Sequence, residues 1–368
     1  MGTVTIFLCG DVMTGRGVDQ VLPHPSDARL HEEYVKDARQ YVRLAEAASG
    51  PIPRPVGFSY IWGDALEELA RISPEARVVN LETSITRSDD RRPGKGIHYR
   101  MHPDNVGCLA AARIDVCALA NNHVLDFGEA GLLETIDTLA AVSVRGAGAG
   151  RTLAQAREPA SVGIPGEGRL FVFAFGDPSS GIPSSWAATD DAPGIDVLPD
   201  LLEATAGEIL ERVRSVKQAR DIVVASIHWG GNWGYQIPAA QQQFARWLLD
   251  GGVDIVHGHS SHHARPIELY RGKLILYGCG DFLDDYEGIV GHEEFRGDLA
   301  LMYFPTVEPE TGQLKSLRIT PMQIRNLQLN RARAADAEWL ACTLDRISRP
   351  FGAQIKLTDD GTLALRPS

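Results

Sequence analysis

Six short apolar runs in this chain each end in a residue that binds metals or moves protons. VTIFLCG leads to Asp11, ARVVNL to Glu82, IDVCALA to Asn121-Asn122-His123, DIVVASI to His228, VDIV to His257-Gly258-His259 and KLILYGCG to Asp281. Runs of that length and β-branched content read as buried strands, which puts each polar tip just past a strand's carboxyl end. Open α/β sheets gather their ligands along that edge. One polar strand end is ordinarily a loop, but six of this composition point to a metal-centred active site. The densest cluster is HGHSSHHARPIE, where His257, His259, His262 and His263 fall within seven positions.

Each tip has a chemical reading and a plainer one. Asp11 follows a glycine and can ligate a metal or act as a base, although Asp after Gly is most often a turn residue. Glu82 can bind a metal, or it can simply sit at a helix N-terminus favoured by the dipole. Asn122 offers an amide oxygen and His123 an imidazole, and Asp126 three residues on can orient that ring by accepting from its N–H. His228 stands among glycines and tryptophans, and His259 with His262 can reach one centre from a loop. Arg16 and Arg265 suit a peptide carboxylate, whereas Trp229, Trp233 and Trp186 suit an aromatic side chain. His292 is a reserve acid/base group whose plainer reading is an exposed loop histidine.

The composition limits the alternatives. With 44% hydrophobic and 23% charged residues the chain is neither disordered nor fibrous. A net charge of −12 argues against nucleic acid as a partner, because phosphate binding needs clustered Lys and Arg. The cysteines, five and mostly within apolar runs, read as reduced core residues. The N-terminus reads as a first strand and not a signal peptide, and no window spans a bilayer, so a cytoplasmic protein without a membrane partner is expected.

Strand-like and helix-like runs alternate: strand 3–9, helix 63–72, strand 77–81, helix 104–112, strand 115–119, helix 129–141. The same grammar resumes with strand 169–176, helix 200–218, strand 221–227, helix 238–250 and strands 253–257 and 273–279. This predicts βαβ units in one α/β domain over 1–368. An insertion at 22–60 should shape a substrate pocket, 145–168 reads as a flexible connector, and 176–198 as a loop over the site. The C-terminal part, 298–348, reads as an antiparallel hairpin followed by a helix.

The segments GDVMTGRGVD, NLETSIT, LANNHVLDFG, GAGRTLAQAREPA, SIHWG, VDIVHGHSSHHARPIE and YGCGDFLDD, in this order, resemble the CapA/PgsA-like family of capsule and poly-γ-glutamate biosynthesis proteins. That family is a branch of the calcineurin-like metallophosphoesterase superfamily. The resemblance runs from residue 4 to about residue 305. It implies a four-layer α/β/β/α sandwich with metal ligands at the strand ends. It implies further that Asp11 takes the first-motif carboxylate, Glu82 the bridging acid, Asn122 the amide ligand and His123 the catalytic histidine. His228 takes the place of the lone histidine ligand, and His259 with His262 that of the final pair.

One position departs from the pattern. Metallophosphoesterases carry a histidine two residues after the first Asp, and Met13 stands here, a poor ligand for a hard or borderline ion. The expectation is therefore one divalent ion (Ca, Mn or Zn) on Glu82, Asn122, His228 and His259, with Asp11, His123, Asp126 and His262 left for proton transfer. Without an anchoring segment the chain looks like the CapA-like enzymes of lasso-peptide biosynthesis. That likeness implies a peptide epimerase that inverts a C-terminal residue, tryptophan in the resemblance, of a precursor peptide. Asp11 with His262 and His123 with Asp126 would be the two flanking pairs, and Arg16, Trp229 and Arg265 the substrate contacts. A metallophosphoesterase or capsule-polymer hydrolase is the alternative, a non-enzymatic scaffold the third reading, and the oligomeric state is open.

Overall fold

The computed structural model describes residues 2–166 and 168–366. Two mixed sheets face each other. The first runs in the order Gln354–Leu357, Leu363–Arg366, Gln313–Arg325, Leu299–Glu308, Val4–Val12, Ala76–Leu81, Val116–Ala118, Arg145–Ala147. The second runs Ile267–Tyr270, Lys273–Leu276, Ile255–His259, Ile222–His228, Gly168–Gly176, Ala160–Ile164.

Alternation along the second sheet explains the layers. Phe171, Phe173, Phe175, Val223, Ala225 and Ile227 pack against Ile209 and Val213 of the helix Glu203–Val216 and Phe244 and Leu248 of the helix Ala239–Asp250. Their neighbours Leu170, Val172, Ile222 and Val224 face the other way, into a core shared with the first sheet. Each side chain fully buried in this way contributes about 1.5–3 kcal/mol. The helices Ala65–Ile72 and Gly128–Ala141 pack Leu69, Leu132 and Leu139 into the same continuous hydrophobic cluster. The arrangement is the four-layer α/β/β/α sandwich.

Several expected elements take a different form. The connector 145–168 is largely ordered: Arg145–Ala147 extends the first sheet, Leu153–Arg157 is a helix and Ala160–Ile164 an edge strand, with Glu167 outside the described residues. The hairpin Leu299–Glu308 with Gln313–Arg325 forms as expected, and it also pairs antiparallel with the first strand. That first strand extends to Val12, so Asp11 lies inside it and not past its end. Its pairing with Ala76–Leu81 shifts register between Leu8 and Asp11. At that irregularity Gly10 passes so close to Gly280 that a Cβ on it would lie 1.7 Å from the Gly280 carbonyl oxygen. Asp11 N–H donates to the same oxygen at 3.0 Å, and Asp11 and Asp281 become partners in a short parallel bridge.

All five cysteines are free, four of them buried and Cys342 exposed on the last helix. No helix among the described residues is long and apolar enough to cross a membrane.

Candidate active site

The three strand ends of the first sheet are locked together before any ligand is considered. Asn80 donates from Nδ2 to Asp11 Oδ1 at 2.7 Å, and its Oδ1 accepts from Asn121 Nδ2 at 3.1 Å. Asn121 Oδ1 in turn accepts the backbone N–H groups of His123 and Val124 at 3.1 and 3.0 Å. This Asx-type turn presents Asn122 and His123 to the gap between the sheets. Asn80 and Asn121 thus position three candidate groups without being candidates themselves.

The second sheet supplies His228 and His259, paired directly across adjacent parallel strands. Their Nδ1 atoms lie 2.8 Å apart, and His259 Nδ1 is 3.9 Å from Asp11 Oδ1. Asp11, His228 and His259 are a buried set of donors that could hold one ion. On its other edge His228 turns Nε2 toward Asn122 Oδ1 at 3.2 Å and Glu82 Oε1 at 3.9 Å. The expected ligand set is therefore divided by a single imidazole. His259 meets Nδ1 of His228, with Asp11 on the same His259 nitrogen, whereas Glu82 and Asn122 meet the Nε2 of His228. One ion can use only one of these nitrogens, and with Nδ1 as ligand Asn122 becomes the acceptor of the Nε2 proton.

The chemistry of this donor set suits a cation. Burial and the neighbouring carboxylates of Asp11 and Asp281 push Glu82 well above the usual carboxylate range. Asp11 is pushed up to about 7, by burial first and then by Asp281. Burial also holds His228 and His259 well below the usual histidine value, so both offer neutral lone pairs. Glu82 Oε2 is buried without a hydrogen-bond partner. Adjacent buried carboxylates, neutral imidazoles and an orphaned oxygen are the donor types a divalent ion takes.

Proton bookkeeping fixes which nitrogen of His259 is free. His257 Nε2 lies 2.7 Å from the carbonyl oxygen of Cys9, which can only accept, so Nε2 carries the hydrogen. Burial keeps His257 neutral, at about 4, so its Nδ1 is bare and accepts from Ser226 Oγ at 3.1 Å. Ser226 Oγ has spent its hydrogen and accepts from His259 Nε2 at 2.9 Å. The lone pair of His259 is left on Nδ1, facing His228 and Asp11. Ser226→Ala is expected to release that tautomer and weaken metal affinity about 10–100-fold, as loss of an orienting partner does. Calorimetric titration with Mn²⁺ and Zn²⁺ checks this, and unchanged affinity would remove the relay from the account.

Two histidine–carboxylate pairs adjoin the donors. His123 Nδ1 is 2.7 Å from Asp126 Oδ2, and its Nε2 points toward Glu82 Oε1 at 3.8 Å. Burial lowers His123 to about 4, so this imidazole is neutral. Burial works to raise Asp126, but His123 and Lys95 outweigh it and hold it low. The second pair is not the expected one. His262 Nδ1 meets both oxygens of Asp281 at 3.0 Å, not Asp11. Burial alone would lower His262, yet Asp281 raises it to about 9, so this ring is protonated at neutral pH.

Asp281 and Lys95 are the residues that sequence reasoning missed in this role. Asp281 showed as a strand-end acid without a partner. Lys95 contacts the Asn122 carbonyl, His123 Nδ1 and Asp126 from a Pro/Gly loop that carries no periodic signal. Met13 is buried, with its sulfur 3.6 Å from Tyr286 Oη, and fills the place where a ligand histidine was expected to be missing.

The expected substrate contacts are buried or already engaged. Trp229 is fully buried in the helix-facing core, stacked on Tyr277, with its ring N–H on the Tyr277 carbonyl. It has no face to offer a ligand. Trp186 is also buried, beneath Lys95. Arg16 is 3% exposed and held by Asp285, by Glu32 at 2.9 Å and by Tyr41 at 3.0 Å. Arg265 is equally buried and donates to the Gly231 carbonyl at 2.6 Å. Trp233 is the tryptophan that reaches the cleft, stacked on His292 with ring centres 4.2 Å apart.

Comparison with known proteins agrees with this architecture. The chain is 48% identical over 366 residues to a probable polyglutamine synthesis accessory protein of Mycobacterium tuberculosis, covering 99% of this chain and 96% of that one. It is 29% identical over 246 residues to the PGA biosynthesis protein CapA of Bacillus subtilis, covering 67% of this chain and 60% of the relative. It is 24% identical over 288 residues to the capsule biosynthesis protein CapA of Bacillus anthracis, covering 77% and 60%. The model of the bacterial capsule synthesis protein family PGA_cap matches residues 5–286, a stretch that holds every donor and both acid/base pairs. The chain belongs to that family, and with it to the metallophosphoesterase-like fold.

Proposed function

We propose that this protein is a metal-dependent enzyme that hydrolyses amide bonds in a glutamine- or glutamate-rich polypeptide during capsule-type polymer synthesis. The observation that carries this reading is the opposite protonation of the two histidine pairs beside one donor set. His123, neutral, offers Nε2 as a base that takes a proton from water. His262, protonated, can give a proton to the departing amine. The ion, when bound, supplies Lewis-acid polarisation of the carbonyl under attack. Asp126 holds His123 in the tautomer that leaves Nε2 bare, and Asp281, bound at Nδ1, keeps His262 in the charged form whose Nε2 carries the proton to be given.

Charge narrows the substrate. The cleft beside His262, about 540 Å³, is lined by Asp281, Asp284, Glu287, Glu293 and Asp298. Its arginines, Arg16 and Arg296, are already bound to acids. A chain of free glutamates would be repelled there, whereas glutamine side chains carry no charge. The mycobacterial relative's description as a polyglutamine accessory protein fits that preference.

The same two pairs favour a second reading. A base on one side and an acid on the other can also remove a Cα proton and return it to the opposite face, which is peptide epimerisation. Incubating metal-loaded protein with glutamine oligomers in D₂O separates the two by mass spectrometry. Hydrolysis shortens the chains, epimerisation adds one deuterium at unchanged length, and neither change would reject both.

A pH profile follows from the same residues. Activity should rise through about 4 as His123 becomes a free base and fall through about 9 as His262 loses its proton. Asp281→Asn removes the group that raises His262, so the alkaline limb should move down toward about 6.5, the ordinary histidine value. An unmoved limb would assign it to another group.

A further inference from the structure

We propose that Asp284 is a subsite for a primary ammonium group, the free amino end of the polypeptide, beside the His262–Asp281 pair. The inference rests on the reading of the substrate as a glutamine- or glutamate-rich chain, and it adds that the enzyme works from the chain's amino terminus.

Asp284 is 2% exposed and belongs to the wall of the cleft. Its Oδ1 accepts from Tyr286 N–H at 2.8 Å, while Oδ2 is buried with no hydrogen-bond partner. A buried carboxylate oxygen without a donor is strongly unfavourable, and such groups mark places where a ligand completes the structure. The cations that share the cleft wall are engaged elsewhere. Arg16 is held by Asp285 and Glu32, Arg296 by Asp298 and Asp336 at 2.8 Å each, and His262 by Asp281 at 3.0 Å. Asp284 is thus the acid of this wall with a buried oxygen that no donor among the described residues meets.

The missing complement has the chemistry of an ammonium group and not of a metal ion. A metal needs several convergent donors, and Asp284 offers one free oxygen, because both oxygens of Asp281 face His262 Nδ1. The donors that converge are Asp11, His228 and His259, without Asp284. An ammonium brings three N–H donors and is stabilised by aromatic faces. Trp233 and Tyr286 line the same cleft. An anchored amino end sets the first peptide bonds of the chain next to the proton of His262.

The test uses full-length, metal-loaded protein with glutamine oligomers of equal length, one with a free amino end and one N-acetylated. Wild type should process the free-ended chain at least tenfold better in kcat/KM. Asp284→Asn should lose that preference through a higher KM, with metal content unchanged. A binding measurement keeps the test independent of turnover: glutamine amide should bind wild type at least tenfold more tightly than N-acetylglutamine amide, and Asp284→Asn should bind them alike. Equal binding of the two probes by wild type overturns the subsite without needing any variant to fold. Loss of the metal from Asp284→Asn overturns it too, by making Asp284 a ligand. Inactivity on every glutamine chain, with the probe preference intact, would instead reject the hydrolytic reading and leave the ammonium subsite standing.

Discussion

His228→Ala and His259→Ala are each expected to empty the metal centre and to lower turnover roughly 10³-fold, the scale on which a single preorganised electrostatic group acts. The two rings are the neutral donors that bridge the sheets at this point, with Nδ1 atoms 2.8 Å apart. Removing either takes a neutral donor from beside two buried carboxylates, Asp11 and Glu82. The double variant should cost no more than either single one, because groups that act as a unit are not additive. Elemental analysis of dialysed protein, read beside the rate, checks the expectation. Full metal content in His259→Ala alone would show that the ion sits on the Nε2 side of His228 with Glu82 and Asn122, and full content in both variants that the cluster is not a metal site.

Gly10→Ala is expected to destabilise the protein by about 3 kcal/mol or more, the upper range for forcing atoms into a packed interior. The residue it would meet is backbone, the Gly280 carbonyl 1.7 Å from the new Cβ, so no side chain can swing aside. Separating the two strands would also break the Asp11 N–H bond to that carbonyl and pull Asp11 from Asp281. Gly163→Ala is the control, since a Cβ there meets nothing within 4 Å. Equal denaturant midpoints for the two variants would mean that the strands at Gly10 part at little cost.

Much of this architecture could be read from the chain because it rests on local pattern. The apolar runs before Asp11, Glu82, His228 and His259 are strands; Asp11, His228 and His259 converge, and Glu82 lies on the other edge of His228. What escaped was the pairing of distant segments. His262 takes Asp281 because the strand Asp281–Leu283 docks beside Val4–Val12, and nothing in the spacing of the motifs specifies that. Trp229 was misplaced despite an available signal: on the strand ending at His228 the residues Val223, Ala225 and Ile227 face the helices, and the next position of that parity is 229. Arg16 looked free because its partners Glu32, Tyr41 and Asp285 come from the insertion and from the far end of the chain. The strands Gln354–Leu357 and Leu363–Arg366 are too short to stand out in the sequence.

The origin of the donors in two sheets bears on how the protein matures. Asp11 and Ser260, whose backbone N–H binds the Asp11 carboxylate, are 249 positions apart in the chain. Contacts of such sequence separation close late, after the loop entropy between them has been spent. A nascent chain that stops before residue 222 holds Asp11, Glu82 and Asn122 but neither partner imidazole. The centre therefore cannot template folding as a zinc finger does. It can be charged only once His228 and His259 have met Asp11, which makes metal uptake a read-out of the docking of the two sheets.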